Sequence, residues 1–172
     1  MIGLSLSHIR LRSPPNRSSL WRHPDFQQYN PRPNYDDAGL YCGRVLQKEN
    51  DTRCGICGDP ITDKVPRPNE NGGIYGKGII AGRYTAGDAI LLSVEFAATH
   101  FGYFEVHLCD QFPETDSCFR KLKFEDGSEK YRLAPPKRPL AGDSWGYCGN
   151  GREDMGCGLQ ETFRSCADIS IQ

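Results

Sequence analysis

The 172 residues carry 21 basic and 22 acidic side chains, a formal charge of −1, and so no dominant electrostatic pull toward nucleic acid or anionic lipid. That length suits one domain with a real core, while 19 Gly and 12 Pro favour strands and loops over helices. No apolar run approaches the length of a membrane span.

Taken from the start, Met1–Ser7 lacks the charged beginning and long apolar core of a whole signal peptide. It reads as the tail of one, with Ser5 and Ser7 standing where cleavage wants small residues. That divides the chain into a signal remnant, residues 1–7, and a single domain, residues 8–172, beginning at His8. A histidine within a chain offers a metal one ring nitrogen. A histidine that begins a mature chain adds its free amine.

From Arg12 to Asp37 the chain is rich in Pro, Asn, Arg and aromatic residues without a sustained period, which predicts an ordered loop region with one short helical turn around residues 18–22. Residues 42–71 are similar, with Pro60, Pro66 and Pro68 interrupting any regular element. Regular structure is expected from near Gly78, and Thr85-Ala86-Gly87-Asp88 is a turn signal. Leu92, Val94, Phe96 and Ala98 then alternate with Leu91, Ser93, Glu95 and Ala97, the pattern of a half-buried strand. After Thr99-His100-Phe101-Gly102 a second strand sets Phe104, Val106 and Leu108 on one face and Tyr103, Glu105 and His107 on the other. The two read as a hairpin with His100 at its bend. Another pair, residues 121–124 and 130–133, is expected around Glu125-Asp126-Gly127. The last strand places Phe163, Ser165, Ala167, Ile169 and Ile171 on one face. Short strands in succession predict an all-β antiparallel sandwich.

Cysteines stand at Cys42, Cys54, Cys57, Cys109, Cys118, Cys148, Cys157 and Cys166. An even set in a Gly- and Pro-rich chain favours disulfides and an oxidising, extracellular compartment. Two sequons, Asn16-Arg17-Ser18 and Asn50-Asp51-Thr52, are compatible with a secreted glycoprotein. Cys54-Gly55-Ile56-Cys57 has the look of a zinc knuckle, but structural zinc wants a second ligand pair and the other cysteines come singly. Disulfides rank above zinc.

Of four histidines, His23, before Pro24, is expected to be exposed or capping, and His107 to pair with Glu105 on a solvent face. His100 differs because it sits where two strands meet, as sites on rigid scaffolds often do. No Gly-rich phosphate loop or Gly-x-Ser-x-Gly elbow occurs. Glu161 and Asp168 fall on opposite strand parities, so nothing pairs them for glycoside hydrolysis. The sharpest idea from the residues alone is a metal site using His8 and His100, set against a plain loop histidine.

The residues that follow carry a family resemblance. They are residues 8–21 (His8 to Trp21), Leu40-Tyr41-Cys42-Gly43, residues 53–59, Pro66-Arg67-Pro68, residues 75–80, Tyr84-Thr85-Ala86-Gly87, Ala98-Thr99-His100-Phe101-Gly102, Ser144-Trp145-Gly146 and residues 156–171. In that order and number they resemble the lytic polysaccharide monooxygenases, in particular the invertebrate-type branch, auxiliary activity family fifteen. The resemblance implies an immunoglobulin- or fibronectin-III-like antiparallel β-sandwich with long disulfide-stapled loops. It implies one copper ion in a histidine brace: the amine and Nδ1 of His8, and Nε2 of His100. Phe163 matches the axial aromatic of that site, and its plain reading is a core residue. Ala98 matches a small residue near the metal, with Gln160 or Glu161 as outer groups. The implied activity is oxidative cleavage of glycosidic bonds in crystalline chitin or cellulose, with oxygen or hydrogen peroxide as co-substrate and an external electron donor. The protein would be a secreted monomer.

Two departures from the family pattern stand out. Met1–Ser7 blocks the amine of His8 until it is removed. Residues 134–143 replace a further strand and a Cys-x-x-Cys pair, so the sandwich is expected to lack one strand segment, with Cys109–Cys118 and Cys148–Cys157 as local pairings. The activity reading therefore includes an impaired isoform, and its rival is a non-catalytic extracellular module that binds chitin or another glycan.

Overall fold

The computed structural model describes residues 9–40, 42, 54–96, 103–133, 145–147, 149, 151–155 and 162–172. Among them run ten short strands: β1 Ile9–Ser13, β2 Gly82–Tyr84, β3 Ser93–Phe96, β4 Tyr103–Phe104, β5 His107–Leu108, β6 Arg120–Lys121, β7 Tyr131–Arg132, β8 Trp145–Tyr147, β9 Glu153–Met155 and β10 Ile169–Ile171. The only helices described are 3-10 turns at Arg17–Arg22, Pro24–Tyr29 and Asp116–Cys118. The chain gathers into two compact units, one of Met1–Ser7 with Ala97–Glu161 and one of His8–Phe96 with Thr162–Gln172.

In the unit containing His8–Phe96, β1 and β3 pair antiparallel with Ile9 opposite Phe96, Arg10 opposite Glu95 and Leu11 opposite Val94. The register slips between Leu11 and Ser13, and Pro14 and Pro15, which lack the N–H a ladder needs, end the strand. This first strand was not among the expected elements, because its two apolar residues alternate with arginines in so short a run. The partner of β3 corrects another expectation: it is β1, whereas the predicted hairpin mate β4 pairs with β7. Residues 97–102, the bend of that hairpin, lie outside the described residues.

Among the described residues the core of this unit is small, with Leu20, Ala38 and three cysteines packed beside many polar groups. Leu20 is buried beside Asn16, Ser18 and Ser19, at the turn Arg17–Arg22, together with Arg17, Asp37, Asp59, Asn69 and Glu70. Disulfides compensate for the modest apolar content, as loop-rich folds require. Cys42 joins Cys54, and Cys57 joins Cys166 across a sequence separation of 109. Both pairings dispose of the zinc-knuckle alternative, since Cys54 and Cys57 are oxidised. Gly58 has φ +96 and backs onto the Arg164 carbonyl, where a side chain would collide; this close approach lets the loop meet the C-terminal segment.

That segment departs in one pair from the expectation that every strand is antiparallel. β10 runs parallel to β2, with Ile169 opposite Gly82 and Ile171 opposite Tyr84. It is also shorter than the alternation suggested. Residues 164–168 are not strand, Cys166 is in its disulfide, and Ser165 is exposed. Arg17 donates from Nε and Nη2 to the two carboxylate oxygens of Asp168, at 2.9 and 2.7 Å, and from Nη1 to the Asn69 carbonyl at 2.9 Å. This latch gives Asp168, just ahead of β10, its partner.

In the other unit β4 pairs with β7 and β5 with β6, both antiparallel. The expected mutual pairing of residues 121–124 and 130–133 is therefore replaced, although the turn between them forms as predicted. The Phe124 N–H donates to Ser128 O at 2.8 Å, Asp126 Oδ1 accepts from the Ser128 N–H, and Gly127 has φ +81. Phe104, Phe124 and Tyr131 cluster, with Phe104 and Tyr131 stacked at 4.9 Å. Cys109 pairs with Cys118 as expected. Cys148 and Cys157, and the segment 134–143 where a strand was expected to be missing, lie outside the described residues. β8 pairs with β9.

Candidate functional site

His8 and His100, the two proposed ligands, lie outside the described residues, as do Ala98, Gln160 and Glu161. Phe163 is described and half-buried. It sits on a backbone ladder in which the Cys42 N–H donates to Thr162 O and the Arg164 N–H to Leu40 O, each at 3.2 Å. The other histidines are occupied as the sequence suggested. His107 Nε2 lies 3.2 Å from Glu105 Oε2, and Lys121 Nζ donates to the other oxygen of that carboxylate at 3.0 Å. His23 caps two 3-10 turns through its backbone, its N–H donating to Leu20 O and its carbonyl accepting from the Phe26 N–H. Burial pushes its imidazole pKa down, and the positive charges of Arg12 and Arg10 add to the effect. Among the described residues no group of three His, Cys, Asp or Glu side chains could hold a metal ion.

What the structure does describe is the mounting of the strand directly behind His8. The Ile9 N–H donates to Ala38 O at 3.0 Å. Arg10 reaches Asp37 Oδ1 with Nη2 at 2.7 Å and Glu95 Oε2 with Nη1 at 3.0 Å. Arg22 takes the same Asp37 from the other side, Nε to Oδ2 at 2.6 Å. Asp37 is wholly buried. Burial alone would raise its carboxyl pKa, but hydrogen bonds from Arg22 and Arg10 and their charges bring it below the ordinary range. Glu95, hydrogen-bonded by Arg12 and Arg10, is likewise lowered. Arg22 also lies 4.1 Å above the Trp21 ring, whose Nε1 donates to Asn34 O. The sequence reading missed Asp37 entirely. The available signal was four arginines, Arg10, Arg12, Arg17 and Arg22, in one short stretch, a density that calls for buried acids as partners.

Asn16, the first sequon residue, has no exposed surface. Its Nδ2 donates to Asp37 O at 3.3 Å and its Oδ1 accepts from Ser19. The folded chain has no room for a glycan there.

These features define an all-β chain of the immunoglobulin-like sandwich class, stapled by disulfides and with its first strand clamped at its outset. Comparison with solved structures then supplies the family. The chain is similar to a lytic polysaccharide monooxygenase AA15 from Thermobia domestica, solved in the Cu(I) state, at 38% identity and TM-score 0.79, over 95% of this chain and 98% of that one. Comparison with family models and with curated proteins gives no match. At that identity and coverage the chain belongs to the lytic polysaccharide monooxygenases of auxiliary activity family fifteen.

Proposed function

We propose that the domain formed by residues 8–172, once it begins at His8, is a secreted copper-dependent monooxygenase that cleaves glycosidic bonds in chitin or cellulose, taking electrons from an external donor. The likeness to a copper-loaded relative over 95% of the chain carries this reading. A local observation supports it. His8 directly precedes Ile9, Ile9 is the register partner of Phe96, and His100 follows Phe96 by four residues, a tether of at most about 15 Å.

In this reading His8 would hold copper through its amine and Nδ1, and His100 through Nε2. Copper so bound supplies the activation of oxygen or hydrogen peroxide. Everything else is the work of the chain. Both imidazoles have to be neutral to present their lone pairs. The amine of His8 has to be free, because an amide nitrogen is a poor donor, so Met1–Ser7 must be removed. Phe163 offers no ligand atom and would present a water-excluding apolar ring beside the metal. Three disulfides among the described residues suit the extracellular compartment in which a monomer would meet a crystalline polysaccharide.

Copper titration of protein beginning at His8 tests the proposal. Sub-micromolar binding is expected, lost in His100→Ala and in the chain that still begins at Met1, with oxidised oligosaccharides released from chitin or cellulose. Copper-independent binding to chitin without oxidised products would overturn it in favour of a plain glycan-binding module.

A further inference from the structure

We infer that Asp37 is a positioning residue for the chain's copper site, acting through Arg10 and the Ile9 backbone to hold residue 8. The inference rests on the proposed role of His8 and goes beyond it, because Asp37 itself lies among the described residues and is no ligand.

The first residue of a mature chain ordinarily frays, since nothing precedes it and few bonds hold it. Here residues 37 and 38 grip the two that follow it. Ala38 O accepts the Ile9 N–H at 3.0 Å, and Asp37 Oδ1 accepts from Arg10 Nη2 at 2.7 Å. The peptide joining residue 8 to Ile9 is planar, so a fixed Ile9 N–H orients that peptide. Glu95 takes the other arm of the Arg10 guanidinium at 3.0 Å, from the position opposite Arg10 in the sheet. Arg10 is thus held from two directions, as its planar fork allows.

Burying a carboxylate is costly unless it is fully paired, and Asp37 meets that condition with two guanidiniums. Arg22 binds it at 2.6 Å and braces it against the turn Arg17–Arg22. Asp37 itself takes no part in the β1–β3 ladder, and outer groups that orient a metal's ligands help to set its affinity and electronic structure.

The test uses protein beginning at His8. In the parent, amide hydrogen exchange at Ile9 is expected to be slow with or without copper; an unprotected Ile9 amide would overturn the inference. Arg10→Met leaves Asp37 paired with Arg22 and is the variant expected to fold, while Asp37→Asn is the stronger perturbation. Both are expected to weaken copper binding by about tenfold or more and to change the Cu(II) electron paramagnetic resonance spectrum. Arg120→Met, which breaks only an exposed ion pair with Asp110, is expected to match the parent in both. A folded Arg10→Met with parental affinity and spectrum would refute the positioning role. Absence of His100-dependent copper binding in the parent would instead defeat the proposed function, and Ile9 exchange would still judge the clamp.

Discussion

Replacing Arg17 with methionine tests the latch that holds the C-terminal segment. Arg17 and Asp168 have side-chain exposures of only 6% and 17%, and Arg17 makes two bonds to that carboxylate and one to the Asn69 carbonyl. Arg17→Met keeps the length of the stem but leaves Asp168 unpaired in a half-buried site. Breaking a buried ion pair costs about 3–5 kcal/mol, and partial access of water to Asp168 places the cost near the lower end, about 3 kcal/mol. With a urea m-value of about 2 kcal/mol/M, the midpoint should fall by about 1.5 M, with m unchanged. A double-mutant cycle with Asp168→Asn isolates the pair, and the coupling should be about 2 kcal/mol. A midpoint shift under about 0.3 M, or additive single effects, would show that the Cys57–Cys166 bridge holds the segment alone.

Three further outcomes are expected elsewhere in the chain. Burial raises the Asp59 pKa, against the opposing hydrogen bonds from Asn69, so the folded state favours its neutral form. The stability it contributes is present below the unfolded value of about 3.9 and is lost as pH rises through the raised folded one. Asp59→Asn should therefore raise Tm at pH 7 but not at pH 3, the more so because Asn69 Oδ1, which lacks a partner, can turn to meet the new amide; equal effects at both pH values would refute this. Removing Cys57–Cys166 by paired serines should cost about 5 kcal/mol and removing Cys109–Cys118 about 2.6 kcal/mol by loop-closure entropy, given separations of 109 and 9; equal losses in denaturant titration would contradict that entropic account. Intact mass of secreted protein should show no glycan on Asn16, whose side chain is wholly buried.

Local features of the fold were legible in the sequence because they depend on neighbours. The Thr85–Asp88 turn closes with the Asp88 N–H on Thr85 O at 3.1 Å. Leu91 and Ser93 are exposed while Leu92 and Val94 are half-buried, as the alternation required. The pairing of strands was not legible. β1 and β3 are more than eighty residues apart, as the contact of Arg10 with Glu95 shows by its separation of 85, and no propensity encodes such a partner. The parallel β2–β10 pair was not legible for the same reason: its strands are far apart in sequence, and the Cys57–Cys166 bridge and Arg17–Asp168 pair that also hold the C-terminal segment are themselves long-range contacts.

For the proposed site, the candidate ligands and the mounting differ in how far the sequence points to them. His8 and His100 could be singled out because histidines are few and one of them followed a cleavable-looking leader. Asp37 could not, because an acid in a Pro-, Asn- and Arg-rich stretch looks solvated until its two guanidiniums are found around it. The distinction is physical. A candidate ligand is picked out by residue type, whereas Asp37 is defined by burial and by partners 15 to 27 residues away. That also explains why the arginines of the first twenty-two residues are not interchangeable surface charge: Arg10 and Arg22 serve Asp37, Arg17 serves Asp168, and Arg12 serves only the half-exposed Glu95. Loss of Arg12 should therefore matter least of the four, since exposed pairs contribute at most about 1 kcal/mol.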